Sequence, residues 1–198
     1  ADAAALALQE RGPICLRVNT ARIAVPAAQE LMAEEGVQTR ANPLAEAALT
    51  VTEGARRIRN SAAFTDGYVE LQDAASQAVV AALPSGGRVL DYCAGGGGKA
   101  LALAMDPARE ITAHDIDPRR MSDLSPRADR AGVAISLADT EEAKAGAPYD
   151  LVLCDAPCSG SGAWRRAAEG KRTLTPERLT ELTTIQDQIL DTAAGLTA

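Results

Sequence analysis

From residue 71 onwards, short apolar segments alternate with segments that carry the three- and four-residue spacing of amphipathic helices. Helices are predicted at residues 71–83, 99–105, 118–131 and 176–196, and strands at 88–92, 110–114, 133–137 and 149–154. This alternation predicts βαβ units and a doubly wound parallel sheet. Ligands of such sheets bind at the carboxyl ends of the strands, so we expect the functional site in the loops that follow them.

The first 66 residues predict a smaller, separate α+β module. Its predicted elements are two strands and an intervening helix, at residues 14–19, 48–51 and 26–35. Pro26 suits a first helical turn, and Gly36 suits the residue just past a helix end. A turn signal at residues 65–68 marks the expected boundary, which predicts one domain at 1–66 and another at 67–198. Residues 1–9 lack the basic start of a signal peptide.

Composition excludes some classes of protein and leaves others open. A hydrophobic fraction of 46% with 24% charged residues is typical of a soluble globular chain, and no apolar run is long enough to span a bilayer. Four cysteines and one histidine make a poor disulfide framework and a poor zinc site. We therefore expect free thiols, no bound metal, no membrane contact, a monomer and a cytoplasmic location.

The net charge of −7 does not favour nucleic acid as a partner, but its distribution leaves RNA binding open. Three small basic groups stand out against the acidic background: Arg56, Arg57 and Arg59; Arg119 and Arg120; and Arg165, Arg166, Lys171 and Arg172. Each group alone is also typical of a solvated helix or loop.

A glycine-rich loop joins the strand predicted at 88–92 to the helix predicted at 99–105, with the sequence Asp-Tyr-Cys-Ala-Gly-Gly-Gly-Gly-Lys at 91–99. Glycines let a backbone approach a ligand closely. A Walker A loop is excluded, because Ala100 stands where a magnesium-binding serine or threonine is required. Asp115, about 20 residues after Gly95, suits a carboxylate that binds ribose hydroxyls. The loop favours a nucleotide-type cofactor, with a tight structural turn as the alternative.

A second motif, Cys-Asp-Ala-Pro-Cys-Ser-Gly at residues 154–160, closes the most apolar predicted strand. Asp155 is expected at the tip of that strand, in the ligand crevice, and Cys158 in the loop beyond. Most free cysteines are small buried hydrophobes. That interpretation suits Cys15 and Cys154 better than a cysteine beside a carboxylate in a Pro/Ser/Gly loop.

Together these motifs resemble those of the S-adenosylmethionine-dependent RNA cytosine-C5 methyltransferases, the Nol1/Nop2/Sun family. Further shared features are Gln-Asp-x-x-Ser at 72–76, Trp-Arg-Arg at 164–166 and Leu-Arg-Val-Asn at 16–19. The resemblance implies a Rossmann-like class I methyltransferase sheet, incomplete at its C-terminal end, behind a small α+β RNA-binding module. It implies S-adenosylmethionine as cofactor and RNA as partner, with ribosomal RNA of the small subunit favoured by residues 164–171.

The resemblance also assigns roles position by position. Cofactor contacts are implied for Cys93, Ala94, Gly95, Gly96, Gly97, Gly98, Lys99, Asp115, Asp139 and Asp155. Catalytic roles are implied for Cys158 in releasing the product, for Asp155 in stabilising the adduct, and for Lys99 as a positive charge beside the site. The family's attacking cysteine follows a threonine in a later strand. We therefore expect the natural protein to continue past Ala198, and the 198-residue chain not to methylate RNA.

The chain departs from the commonest loop of the family at Gly95 and Gly96, where many relatives have Ala-Pro, and at Arg172, where relatives often have Trp. Two other functions stay open. The glycine loop and Asp115 also fit an NAD-dependent oxidoreductase, which leaves residues 155–160 without a role. A non-catalytic RNA-binding scaffold with the same fold is the third hypothesis.

Overall fold

The structure is a computed structural model that describes residues 12–167 and 170–198, without the side chain of Lys171. The interpretation of residues 1–9 and the Lys171 member of the third basic group lie outside the described residues. The strands are β1 (Cys15–Val18), β2 (Gln38–Ala41), β3 (Ala48–Glu53), β4 (Val69–Leu71), β5 (Gly87–Asp91), β6 (Arg109–Ala113), β7 (Ser136–Leu137) and β8 (Leu151–Leu153). The helices are α1 (Val25–Glu34), α2 (Ala62–Thr65), α3 (Ala74–Ala81), α4 (Gly98–Leu103), α5 (Leu124–Ala131), α6 (Thr140–Ala145), α7 (Gly170–Thr173) and α8 (Pro176–Ala194). Three short 3-10 segments lie at Ala55–Asn60, Pro118–Met121 and Ser161–Ala163.

The first sheet is antiparallel, with the strand order β2-β3-β1-β4. All four residues of β1 are buried, and Leu16 and Val18 pack with Met32 of α1, with Leu49 and with Ile58. The strands and the helix at the start of the chain therefore share a hydrophobic core, as the predicted small α+β module requires.

Strand β4 lies beyond residue 66 in the sequence but pairs with β1 in the first sheet. The predicted helix at 71–83 is therefore wrong at its start, because Leu71 is the last residue of β4 and α3 begins only at Ala74. The boundary between domains at residue 66 stays a prediction.

The second sheet is parallel, with the strand order β7-β6-β5-β8. This confirms the α/β fold predicted from the alternation of strands and helices. The chain moves outward from β5 to β6 and β7 and then returns to place β8 on the other side of β5, so the sheet has its switch point between β5 and β8. Asp91, the last residue of β5, is in register with Ala113 of β6 and Leu153 of β8, which brings three strand ends side by side.

Two predicted elements differ in extent from the structure for identifiable reasons. The helix expected at 118–131 is a 3-10 turn followed by α5, because Pro126 lacks an N–H and fits only the first turn of a new helix. The most apolar predicted strand, at 149–154, is shortened to β8 at Leu151–Leu153. Its three residues are half-buried, and the strand it pairs with in the described sheet is β5.

The last residues return to the start of β8. Thr197 forms a parallel bridge with Tyr149, the Tyr149 amide donates to the Leu196 carbonyl over 2.8 Å, and the Ala198 amide donates to the Tyr149 carbonyl over 2.9 Å. None of the helices in the described part of the chain is long and apolar enough to cross a bilayer.

Candidate functional site

Two adjoining cavities open at the carboxyl ends of β5, β6 and β8. The first, of about 400 Å³, is walled mainly by apolar side chains and by the loop after β8. The second, of about 260 Å³, is bounded by the glycine loop and by charged side chains. Arg120 and Asp155 line both cavities, so the two form one cleft with an apolar end and a polar end.

The glycine loop is folded by hydrogen bonds to the neighbouring strand. The Ala94 amide donates to the His114 carbonyl over 2.8 Å, and the Gly97 amide donates back to the Ala94 carbonyl over 2.8 Å. Gly97 caps α4 with a φ of 77°, and a Cβ at this position would collide with the fully buried side chain of Leu124. Position 97 therefore requires a glycine. Of the seven predicted cofactor residues at 93–99, six line the second cavity, and the seventh, Gly97, forms the turn that precedes α4.

Asp115 follows β6 and is 4% exposed. Its carboxylate accepts hydrogen bonds from the amides of Gly95, at 2.9 Å, and Asp117, at 3.0 Å. The guanidinium of Arg120 pairs with it at 3.1 Å. The predicted ribose-binding carboxylate is thus fixed against the glycine loop and lines the apolar end of the cleft.

Lys99 and Asp155 form an ion pair across the cleft, from α4 to the loop after β8. Lys99 is largely covered, with 16% of its side chain exposed, whereas Asp155 is 57% exposed. Gln186 of α8 donates to the Pro157 carbonyl over 2.7 Å and so holds the same loop from the other side. Cys158 is exposed at the cleft, and the Gly160 amide donates to its sulfur over 3.5 Å.

Asp91 is a site residue that the sequence motif contained but did not mark out. It is fully buried beneath the polar end of the cleft, and burial raises its pKa to about 7, with Lys99 opposing the shift and Asp155 adding to it. Neither carboxylate oxygen has a hydrogen-bond partner of ordinary geometry among the described residues, although the Ala100 amide lies close enough to lower the pKa slightly.

The sequence motifs also did not predict the residues at the apolar end of the cleft. Tyr92 stacks on His114 with ring centroids 4.6 Å apart, and His114 contacts the hydroxyl of Thr140 at 3.0 Å. Ile116, which is 80% exposed, lines this cavity together with Ile185 and Ile189 of α8. Ile116, the apolar residue directly after Asp115, is the sequence feature that could have indicated this end of the cleft, because ligand pockets are lined mainly by apolar side chains.

Asp139 is placed apart from the other predicted site residues. It caps α6 by accepting a hydrogen bond from the Glu142 amide at 2.8 Å, and Glu142 accepts one from the Asp139 amide at 2.9 Å. It lines neither cavity of the cleft. Its contact with a cofactor stays a prediction.

The four cysteines differ sharply in their surroundings. Cys15 is buried, and Cys158 is exposed. Burial, followed by the nearby Cys154, raises the pKa of the half-buried Cys93 thiol to about 12, and burial also raises that of Cys154. Among the residues that the structure describes, no group of three potential ligands could hold a metal ion.

Comparison with known proteins extends over nearly the whole chain. A family model described as 16S rRNA methyltransferase RsmB/F matches residues 78–197, and a model of the ferredoxin-like domain of these methyltransferases matches residues 1–57. The probable ribosomal RNA small subunit methyltransferase B of Bacillus subtilis is 36% identical over 191 residues, which cover 91% of this chain and 42% of the relative. The small subunit methyltransferase B of Pseudomonas putida is 32% identical over 188 residues, 90% of this chain and 43% of the relative.

Solved structures from Pyrococcus horikoshii share the fold. A methyltransferase homolog protein superimposes with a TM-score of 0.82 at 28% identity and covers 98% of this chain and 64% of its own. NSun6, solved with SFG, gives a TM-score of 0.80 at 16% identity and covers 96% of this chain and 74% of its own. The chain spans about two fifths of the length of the curated relatives it matches.

Proposed function

The chain belongs to the family of 16S rRNA methyltransferases RsmB/F, and from that membership we propose that it forms the cofactor-binding and base-facing part of an enzyme that methylates carbon 5 of a cytosine in ribosomal RNA. The family and its S-adenosylmethionine dependence agree with the resemblance seen in the sequence motifs. The observation that carries the proposal is the meeting of the glycine loop, Asp115, the Lys99–Asp155 pair and Cys158 in one cleft.

The cleft fits S-adenosylmethionine in its division of chemistry. Its apolar end, beside Ile116, suits adenine, and the Asp115 carboxylate next to it suits ribose hydroxyls. Its polar end, above the buried Asp91, suits the charged amino-acid part. When bound, the cofactor supplies a methyl group on a positively charged sulfur, and the protein supplies orientation and electrostatics.

The residues of the cleft also fit the needs of the target base. Carbon 5 of cytosine becomes a sufficient nucleophile only after a thiolate has added at carbon 6, which is covalent catalysis. We assign to Asp155, in the loop after β8, a hydrogen bond to the N3/N4 edge of the base that stabilises this adduct. Lys99, paired with it, holds the carboxylate in place. The base must be unpaired or flipped to reach this cleft.

The exposed Cys158 lines the same cleft, and its proposed role is in release of the product. After methylation, carbon 5 still carries its proton, which a base must remove so that the double bond re-forms and the attacking thiolate leaves. We assign this step to the exposed Cys158, three residues beyond Asp155 in the same loop. The attacking cysteine is not assigned to any residue of this chain.

Calorimetry with S-adenosylhomocysteine and with NAD tests the cofactor assignment. We expect S-adenosylhomocysteine to bind and NAD not to bind, and Asp115→Asn to weaken the binding by about tenfold or more, as expected when a charged hydrogen-bond acceptor is neutralised. Asp117→Asn, in the same turn and paired with Arg119, is the matched control and should bind normally. Binding of NAD with no response to S-adenosylhomocysteine would contradict the proposal.

The reaction itself is tested by mass spectrometry of ribosomal RNA from cells with and without the full-length protein. Loss of one 5-methylcytosine supports the enzyme, whereas unchanged methylation favours the RNA-binding scaffold. The monomeric state and the cytoplasmic location stay predictions.

A further inference from the structure

The carbonyl oxygen of Gly98, at the end of the glycine loop, is held by two side chains from outside the loop. Arg17, on β1 of the antiparallel sheet, donates to this oxygen over 3.0 Å and also donates to the side chain of Gln72. Gln72, just after β4, donates to the same oxygen over 2.9 Å. The Gly98 carbonyl, at the first residue of α4, therefore accepts hydrogen bonds from two side chains that lie outside the loop, and Arg17 links the loop end to the small module.

A second arm reaches the carbonyl of Gly96. Arg127 of α5 donates to this oxygen. Glu70 of β4 accepts from Arg127 at 3.5 Å and from Arg130 at 2.6 Å, and only 14% of its side chain is exposed. We call these side chains, Arg17, Gln72, Glu70 and Arg127, the loop clamp.

Arg17 is an unusual residue to bury for stability alone. It is 5% exposed, and the acceptors it contacts are the neutral oxygens of Gln72 and Gly98. Burial lowers its pKa to about 10, with Glu70 opposing the shift. An apolar side chain of similar volume often serves a buried position as well as a charge does. The directed hydrogen bonds to the loop therefore point to a task beyond packing.

The glycine loop is the part of the cleft with the greatest need for such support. Residues 95–98 are four consecutive glycines, and glycine loses more backbone freedom on ordering than any other residue. If the loop is already ordered in the free protein, this loss of backbone entropy does not weaken ligand binding. Fixing the carbonyls of Gly96 and Gly98 removes much of this freedom in the free protein.

We propose that Arg17 is a positioning residue for the cofactor: through the Gly98 carbonyl it holds the glycine loop in its binding shape, so that a side chain of the small N-terminal module sets the affinity of the cleft. The identity of the ligand rests on the proposed function. Arg17 lines neither cavity of the cleft and acts on the ligand only through the loop.

The test compares two buried residues of the small module that contact the methyltransferase core. Arg17→Met removes the donors to the loop and keeps an unbranched, flexible stem at this position, and Arg17→Lys restores one donor. The control is Asn19→Ala. Asn19 is 5% exposed and donates to the Ala131 carbonyl over 2.8 Å, so it also ties the module to the core, but away from the loop.

Calorimetry with S-adenosylhomocysteine and thermal melting are measured on each variant. We expect the Kd to rise about tenfold in Arg17→Met, because freeing one backbone residue costs about what a tenfold change in Kd represents. Arg17→Lys should recover part of the affinity. Asn19→Ala should keep the wild-type Kd within about twofold, even if its melting temperature falls by as much as that of Arg17→Met. Equal Kd values for Arg17→Met and the wild type, or an equal loss in Asn19→Ala, would overturn the proposal.

Hydrogen exchange of the amides at 96–99 in the free protein separates this proposal from the proposed function. We expect these amides to exchange faster in Arg17→Met but not in Asn19→Ala. Unchanged exchange in Arg17→Met would refute the role of the loop clamp, whether or not the cofactor binds. Failure of the wild type to bind S-adenosylhomocysteine refutes the proposed function instead. Should Arg17→Met not fold, Arg127→Met removes the other arm from a partly exposed position and should weaken binding in the same direction.

Discussion

Replacing Asp91 by asparagine tests whether the buried carboxylate beneath the cleft is kept at the expense of stability. The side chain is fully buried, and neither oxygen has a hydrogen-bond partner of ordinary geometry among the described residues. Burial is the main cause that raises its pKa to about 7, against an ordinary value of 3.8. Asparagine has nearly the same shape and no charge, so it removes the titration with little change in packing.

The sign of the effect follows from proton binding. Between pH 4 and pH 7 the folded protein holds the Asp91 proton more tightly than the unfolded chain does, so the free energy of unfolding falls as the pH rises through this window. The stabilisation is complete below about pH 4 and lost above about pH 7. The difference between the two pKa values corresponds to about 4 kcal/mol, and nearby Lys99, which favours the charged form, is already included in it.

Urea unfolding at pH 5 and pH 8 measures this directly. We expect Asp91→Asn to be more stable than the wild type at pH 8 by about 2 to 4 kcal/mol, and the advantage to shrink towards pH 5. Asp123→Asn, at an exposed position whose side chain does not cap its helix, is the control and should show no such trend. The reasoning is refuted if the difference between wild type and Asp91→Asn is the same at both pH values. Buried charges of this kind are typical of functional sites, so the same variant should bind S-adenosylhomocysteine more weakly.

Two further predictions concern the loops of the cleft. Gly97→Ala should lower the free energy of unfolding by about 2 to 4 kcal/mol, because a left-handed φ of 77° and a collision with the buried Leu124 both oppose a Cβ; Gly162→Ala, with nothing within 4 Å, is the control in the same thermal melts. In the full-length enzyme, Cys158→Ala should trap a protein–RNA adduct, since attack remains possible and release does not. A denaturing gel without a slower RNA-dependent band, together with normal turnover, would contradict the role of Cys158.

The sequence predicted the parts of the fold that depend on local pattern. The alternation from residue 71 onwards indicated the parallel sheet, because strands and crossover helices each leave their own period in the sequence. Strand β4 was missed because Val69 and Leu71 become strand residues only by pairing with β1, more than fifty residues away in the chain. A three-residue strand has too few residues to show a period.

In the candidate site too, some residues could be predicted from the local sequence and others depend on contacts between distant segments. Lys99, Asp115 and Asp155 line the two cavities of the cleft, because each follows the end of a strand in one parallel sheet, and that position can be inferred from the sequence. The contact of Arg17 with Gly98 joins the antiparallel sheet to helix α4, residues far apart in the chain, and has no local signature. The unpaired state of Asp91 is likewise a property of packing, which no motif records.

The cysteines allow a direct test of which thiol in the cleft can react. The thiolate is the reactive form, so a raised pKa and burial both slow alkylation. Cys93 is half-buried with a pKa raised to about 12, Cys154 is half-buried with a raised pKa, and Cys15 is buried. Cys158 is the exposed member of the four.

We therefore expect iodoacetamide at pH 8 to modify Cys158 first in the folded protein, at least about tenfold faster than Cys93, since each pKa unit above the solution pH lowers the thiolate fraction about tenfold. Peptide mass spectrometry over time measures the order, and the urea-unfolded chain, in which all four thiols are accessible, provides the reference. S-adenosylhomocysteine should slow the modification of Cys158, because this residue lines the cleft with Asp115. Modification of Cys93 before Cys158 would reverse the assignment: Cys93 would then be the reactive thiol of the cleft, and the release step would have to be assigned to it.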